Sequence, residues 1–387
     1  MVRSSAFVTD RRRGVLSTMG IALLLLSLVS SACGVGTITP SSPSPTSPAP
    51  SVAAFSLPST APSTTPSPSP TPSPRPVVWP LTGLPAPNAA AIQIRPLNVR
   101  IPNDPAARPQ VGLSKADLVF EMIVEGGVTR FAAIYQSQQP KAVGPVRSYR
   151  WSDLHITQLL RGILVASGAT REEKDGATLS MSEGNMITVD ADRVAAPYYR
   201  VSGRPTPNNM FADLAVARQV AVPLGGSAPV DVPPLAFLPS LDHEPTAGGF
   251  GTSVEATTVT IPFERDPATF TYDPSAQGYD RTQAGTRTVD LDGNVPILAR
   301  NVIVMHTNIW ETSVIEDIYG SKGLDYRMTG GGAAEIFRDG RRVDGTWKRD
   351  GVLDQFTFYD KSGTQILLDP GQSWIHFVYP DWVIASH

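Results

Sequence analysis

The chain has 387 residues, with 32 Lys or Arg against 35 Asp or Glu and a net charge of −3. No long basic run follows the N-terminal arginines, which excludes nucleic acid as the partner and a polybasic patch as the means of holding a membrane. Cys33 is the only cysteine, so no internal disulfide can form, and the roughly 300 residues of the folded part need a conventional apolar core.

The first 33 residues have the parts of an export signal. Arg11, Arg12 and Arg13 precede a mostly apolar run over 15–29, centred on Leu23, Leu24, Leu25 and Leu26, and Ser30, Ser31 and Ala32 lead to Cys33. The apolar run is short of the ~20 residues that a membrane-spanning helix needs. A thiol directly after small residues resembles a lipobox, which implies cleavage before Cys33 and its acylation, palmitate included, because one chain alone holds a membrane weakly. Ser30 departs from that pattern, where Leu is usual; an ordinary signal peptide or an uncleaved anchor is the alternative. Arg12-Arg13-Gly14-Val15-Leu16 resembles a twin-arginine signal, while three arginines also suit the general export route.

Residues 34–78 form a Pro/Ser/Thr-rich stretch. Prolines fill about a third of positions 40–80, a composition that stays extended and buries too little apolar surface to fold. At ~3 Å per residue it reaches on the order of 100 Å, enough to hold a domain away from a bilayer.

The folded part begins near Trp79. Short strands are expected at 97–101, 117–125 and 128–136, the last two joined at Gly126-Gly127 as a hairpin. Ser148 or Ser152 is placed to cap a helix carrying Trp151, Leu154, Leu159 and Leu160, followed by a buried strand at 163–166 and a second helix at 210–220. Positions 225–251 are loose and rich in Pro and Gly. Beyond them, strands are expected at 257–261, 269–272, 302–306, 333–338, 355–359 and 374–378, with turns at Asp339-Gly340, Ser362-Gly363 and Pro370-Gly371. The fold class is α/β of the α+β kind: a layered sandwich of mixed and antiparallel sheets with a few helices, its C-terminal half mainly β and antiparallel. The domains are 79–245 (α/β) and 252–387 (β-rich).

Several stretches are specific in combination: Pro80-Leu-Thr-Gly-Leu-Pro85, Arg95-Pro-Leu-Asn-Val-Arg100, Ala107-Arg-Pro-Gln-Val-Gly-Leu-Ser-Lys-Ala-Asp117, Val124-Glu-Gly-Gly-Val-Thr-Arg-Phe131 and Gly144-Pro-Val-Arg-Ser148. Gly330-Gly-Gly332, Gly345-Thr-Trp-Lys348 and Leu368-Asp-Pro-Gly-Gln-Ser-Trp374 extend the pattern toward the C-terminus. With these the chain resembles the YerB-like bacterial lipoproteins, which pair a domain of unknown function with a C-terminal companion. The resemblance implies a secreted or anchored protein with an α/β sandwich-like body and no established activity. Family members often carry His after the proline at Pro207-Asn208-Asn209; Asn208 cannot act as a base at neutral pH, which weakens any catalysis depending on that His.

Candidate ligand contacts cluster between 103 and 155: Arg108, Glu121, Glu125, Arg130, Arg147, Ser148 and Arg150. The hairpin should bring Glu125 beside Arg130, and Arg108, Arg130 and Arg147 together are suited to grip an anionic or sugar-bearing envelope ligand. A structural ion pair is the plainer reading of the turn residues, and a helix cap that of Ser148. Glu121 and Glu125 lie roughly 13 Å apart along a strand, too far for a glycosidase pair. The five histidines (155, 243, 306, 376 and 387) show no metal-ligand spacing, and Asp290-Leu-Asp292-Gly293 reads as a turn. Trp347 and Trp374 are expected in the core, with stacking on sugar rings as the alternative. No catalytic residue, metal or cofactor is implied. The expected function is a lipid-anchored protein on the extracytoplasmic face that binds a cell-wall or envelope-protein partner. The rival is an envelope hydrolase or transferase built on Glu121, Arg130 and Arg147.

Overall fold

The computed structural model describes residues 76–387. The expected signal segment 1–33, lipidation at Cys33 and positions 34–75 of the expected tether lie outside the described residues. Among the described residues no helix is long and apolar enough to cross a membrane.

The fold is built outward from one hairpin. Strands β2 (Leu118–Ile123) and β3 (Thr129–Tyr135) pair antiparallel, with Leu118 opposite Ile134 and Ile123 opposite Thr129. Gly126 (φ 74°) and Gly127 (φ 71°) close the turn in a conformation that costs other residues free energy. β1 (Leu97–Pro102) lies antiparallel to β3, then β4 (Ile163–Ala166) and β5 (Ile187–Asp190) follow parallel to it. On the other side of β2 lies Ser373–Val378, parallel both to β2 and to the strand Asn301–His306. A meander of Gly330–Arg338, Arg341–Arg349 and Thr357–Asp360 completes an 11-stranded sheet, with Val254–Glu255 pairing beside it.

The strands at the centre are apolar on both faces, as in Leu118-Val-Phe-Glu-Met-Ile123 and Trp374-Ile-His-Phe-Val378, and every one of these residues is buried. Such runs belong to sheets covered on both sides. One face (Val99, Val119, Phe131, Val304, Trp374) packs on a second sheet of six strands through Val259, Ile261, Phe270 and Tyr279. The other face (Phe120, Ile134, Ile303, Ile375, Phe377) packs on helix α1 (Trp151–Leu159) and on Val230, Val232, Leu235 and Phe250 from the loose stretch. Trp347 and Trp374 are both core residues. Gly332 is required where strands crowd: a Cβ there would lie 2.5 Å from the His306 carbonyl oxygen and 2.6 Å from the Trp347 indole nitrogen.

The segments 79–245 and 252–387 thus contribute to one sheet, and they meet where β2 pairs with Ser373–Val378. Asp290 adds a second tie: its carboxylate accepts from the backbone N–H of Gly112 and of Ser114, both at 2.9 Å. The fold is α+β, few in helices, with mixed and antiparallel sheets and a C-terminal half mainly of strands.

Several local expectations need correction. Ser373–Val378 is parallel to both neighbours, not part of an antiparallel C-terminal array. Parallel pairing is made by long crossovers that leave no turn signal in the sequence. Neither Ser148 nor Ser152 caps α1; the Asp153 carboxylate accepts from the Arg150 N–H at 2.8 Å. The helix expected at 210–220 starts later. Met210–Ala212 is a short strand, and Asp213 caps α3 (Leu214–Ala221) by accepting from Ala215 N (2.9 Å) and Val216 N (3.2 Å). Helix α2 (Arg171–Ser182) was not expected from its polar sequence, although Thr170 and Glu173 form a reciprocal cap at its start.

Because the two segments share a sheet, residues 76–387 should unfold in one cooperative transition. Trp374→Ala, which empties the space between the sheets, should lower stability by about 3–5 kcal/mol in urea titrations and move that single transition whole. Two transitions, with only one displaced, would show that the segments fold independently.

Candidate functional site

β1 and β2 both run antiparallel to β3, and β4 and β5 run parallel to β1, so the carboxyl ends of all four emerge at one edge. Ligands of open sheets gather at such edges. The segment 147–149 lies extended between the ends of β1 and β4. Arg147 N donates to Arg100 O (3.0 Å), Ser167 N to Arg147 O (3.0 Å) and Tyr149 N to Gly168 O (3.1 Å). The Ser148 hydroxyl donates to Ser167 O at 3.0 Å, which fastens this segment to the end of β4.

The sheet separates the candidate residues by face. Glu121 points between the two sheets and is fully buried. Its carboxylate accepts from Arg281 Nη2 (2.9 and 3.0 Å), Asn103 Nδ2 (3.0 Å) and the Thr129 hydroxyl (2.8 Å). The Arg281 guanidinium lies over the rings of Phe131, Phe270 and Trp374 at 5.3, 5.6 and 4.9 Å, which shields the pair from water. Burial and the Arg281 charge hold the neighbouring His376 imidazole well below its ordinary pKa, so it is neutral. Asn103 links this interior to the surface, accepting from Arg108 Nε at 3.1 Å, while Arg108 Nη2 reaches the Asp266 carboxylate at 2.5 Å. Arg108 and Asp266 stand at a cleft of about 510 Å³, with Gln110, Gln283, Arg287 and Thr288 among its other walls.

On the opposite face the expected turn pair is present: Arg130 Nη2 lies 2.7 Å from Glu125 Oε1. It is not an exposed pair. Arg150 grips the same carboxylate through Nε (3.0 Å) and Nη2, and its Nε also lies 3.1 Å from Glu316. Beneath them Arg100 Nε sits 3.1 Å from Asp153, both fully buried. Burial alone would raise the Glu125 carboxyl, but the Arg150 hydrogen bonds and the Arg130 and Arg150 charges outweigh it and hold it at about 2. Glu316 behaves oppositely. Burial, with the Glu173 and Glu125 carboxylates nearby, overrides the pull of Arg150 and raises it to about 8. Burial and the Arg150 charge lower Arg130 to about 9, which still leaves it cationic at neutral pH.

Arg108, Arg130 and Arg147 therefore do not line one cleft. Arg108 is at the cleft and Arg130 is enclosed in the ion-pair network. Arg147 Nη1 donates to Asn208 Oδ1 at 3.1 Å, and Asn208 in turn donates to Asp104 at 3.4 Å. Sequence reasoning missed Asp266, Gln283, Arg287 and Thr288 at the cleft, and Arg100, Asp153, Glu173 and Glu316 in the network. The one available signal was the Thr170-x-x-Glu173 cap. His243, Asp339 and Asp369 have ligand atoms within 4.8 Å of one another, a cluster the histidine spacing did not reveal. Arg338 already sits beside both carboxylates, and both His243 ring nitrogens face oxygens, Asp369 Oδ1 at 2.9 Å and Glu244 O at 3.0 Å. Arg338 thus already supplies a counter-charge to both carboxylates.

Comparison with known proteins places this architecture in a family whose activity is undescribed. The family model described as "Protein of unknown function (DUF3048) N-terminal domain" matches residues 81–224, and the corresponding C-terminal domain matches 259–375. The Bacillus subtilis (strain 168) protein named "Putative lipoprotein YerB" is 30% identical over 311 residues, covering 79% of this chain and 87% of that protein. The crystal structure of YerB from Bacillus subtilis is similar with a TM-score of 0.66 at 27% identity, covering 80% of this chain and 99% of that one. The chain belongs to this DUF3048, YerB-like family.

The two perturbed carboxyls have opposite pH signatures. Glu125 is depressed, so its contribution is complete above about pH 4.5 and disappears as the pH falls toward 2. Glu316 is raised, so its contribution is complete below about pH 4.5 and disappears as the pH rises through 8. Glu125→Gln leaves Arg130 and Arg150 without their shared anion and should cost about 3–5 kcal/mol at pH 7. Glu316→Gln should be more stable than the wild type above pH 8, by about 1 kcal/mol or more. Urea titrations between pH 5 and 9 measure both, and equal losses for the two variants at pH 8.5 would contradict the assignment.

Proposed function

We propose that the chain is a lipoprotein held at the extracytoplasmic face of the membrane through Cys33, and that its folded head binds an envelope ligand without transforming it. The name of the Bacillus subtilis relative, the lipobox-like setting of Cys33 and the proline-rich segment after it support the anchor. The single observation behind the binding role is the cleft at Arg108. Its volume of about 510 Å³ lies within the ~300–1,000 Å³ of small-molecule sites.

The chemistry of the walls favours a hydroxyl-rich ligand with an anionic group, such as a cell-wall glycan fragment. Thr286 and Thr288 offer hydroxyls, and Arg108 and Arg287 offer guanidinium groups that are already paired with Asp266 and Asp280; Gln110 and Gln283 are buried and bonded within the protein. The cleft is backed by the Asn103, Glu121 and Arg281 network, whose mutual hydrogen bonds fix Arg108 in place. No observation favours the hydrolase or transferase reading. Glu121 and Glu125 are each consumed by arginines in the interior, and with a pKa of about 2 Glu125 cannot serve as an acid at neutral pH.

Two experiments test the reading. Cys33→Ser should move the protein from the membrane fraction to the soluble one, and mass spectrometry of the wild type should find acyl chains on Cys33. An unmodified N-terminus, or equally firm attachment of the variant, rejects the anchor. Retention of residues 76–387 on purified cell-wall fragments should fall at least tenfold for Arg108→Ala and for Arg287→Ala, about 1.4 kcal/mol each. It should stay unchanged for Arg147→Ala, which lies outside the cleft; equal retention of all four proteins removes the cleft from consideration.

A further inference from the structure

A second groove, distinct from the cleft at Arg108, runs along α3 and has a volume of about 580 Å³. Ala215, Arg218, Gln219 and Val222 follow three- and four-residue spacing and line it, while Leu214, Ala217 and Ala221 on the other side of the helix are buried in the core. Ala90, Ile94 and Pro229 supply further apolar wall. Gln93 is shared with an adjoining recess of about 220 Å³ beside Trp79, Ile92 and Phe237, which extends the apolar surface.

Arg218 is the exception in this setting. Its Nη1 donates to the Arg95 carbonyl oxygen at 2.8 Å, but Nε and Nη2 are buried and have no hydrogen-bond partner among the described residues. Arg100, Arg130, Arg150, Arg281 and Arg338 are buried whole, where Arg218 is half-buried, and each has a carboxylate within 4 Å. Arg349, which has none, spends all three nitrogens on carbonyl oxygens. Arg218 has neither arrangement, and neither has Arg95, whose carbonyl accepts from Arg218 and whose own buried Nε is unpartnered among the described residues. The Arg218 guanidinium is lowered to about 10 by burial, with no neighbouring charge to offset it. A desolvated cation without an anion is costly, and such groups persist where something outside the fold supplies the partner.

We propose that the α3 groove binds an amphiphilic anion, with an acyl chain along the apolar wall and its carboxylate as the counter-ion of Arg218. The chemistry combines one positive charge with a long apolar surface, which suits neither a free small anion nor an uncharged hydrocarbon.

The probe is dodecanoate below its micellar range, titrated calorimetrically into residues 76–387, with acetate and dodecanol as head-only and chain-only arms. Dodecanoate should bind, with acetate and dodecanol at least tenfold weaker. Arg218→Gln should weaken dodecanoate at least tenfold while keeping or raising the melting temperature, because it removes an uncompensated buried charge. Arg218→Lys should retain part of the affinity. Ala215→Trp, which fills the groove and leaves Arg218 in place, should also abolish binding. Dodecanoate binding that Arg218→Gln leaves unchanged, acetate binding as tight as dodecanoate, or no binding at all overturns the proposal. None of these outcomes bears on retention at the Arg108 cleft, so the two readings fail separately.

Discussion

The parallel pairing of β2 with Ser373–Val378 is the constraint on which the rest of the molecule depends. It places a strand from near the C-terminus against a strand of the N-terminal hairpin, and so turns two sequence segments into one sheet. Its register sets Glu121 opposite His376 and leaves Phe120 stacked near Phe377 at 6.1 Å on the other face. A slip of one residue would exchange these faces, driving the carboxylate into the aromatic layer and the phenyl ring into the polar one. The register is therefore enforced from both sides at once.

From that pairing follows the division of the charged residues. The same sheet that buries Glu121 with Arg281 on one face buries Glu125, Arg130 and Arg150 on the other. Buried pairs of this kind return little net stability, since desolvation offsets most of the attraction, yet removal of either member strands the other. Their effect here is positional. Arg281 and Glu121 fix Asn103, Asn103 holds Arg108, and Arg108 stands at the cleft. Arg150, by gripping Glu125 and meeting Glu316, joins the start of α1 to the β2–β3 turn and to the loop after the strand Ile309–Ile315.

Some of this was legible because its signals are local. Gly126-Gly127 between two β-prone runs announces the hairpin, and the Glu125–Arg130 contact follows from the turn alone. The strand at 163–166 is an uninterrupted apolar run with Gly168 two residues beyond its end. The strand Gly278–Gln283 was not legible. Its inward residues Tyr279, Arg281 and Gln283 alternate with Asp280 and Thr282, so the stretch reads as a polar surface loop. Arg281 is recognised as an interior residue only once Glu121, 160 positions away, is seen to neutralise it. Ser148 was misread for a related reason. Ser, Thr and Asp before a helix are usually caps, but here hydrogen bonds to β1 and β4 hold 147–149 extended, and Asp153 takes the cap.

Composition, periodicity and turn residues by themselves determined the class of fold, most of the strands, and a single cysteine placed after an export-like segment. These depend on neighbours a few residues apart, whose preferences are encoded in backbone conformation and side-chain spacing. Only the tertiary structure decided which strands are parallel, which charges are interior, and which of those charges are paired. Those properties arise from contacts between residues separated by tens to hundreds of positions, where one charge's cost depends on what the fold brings beside it.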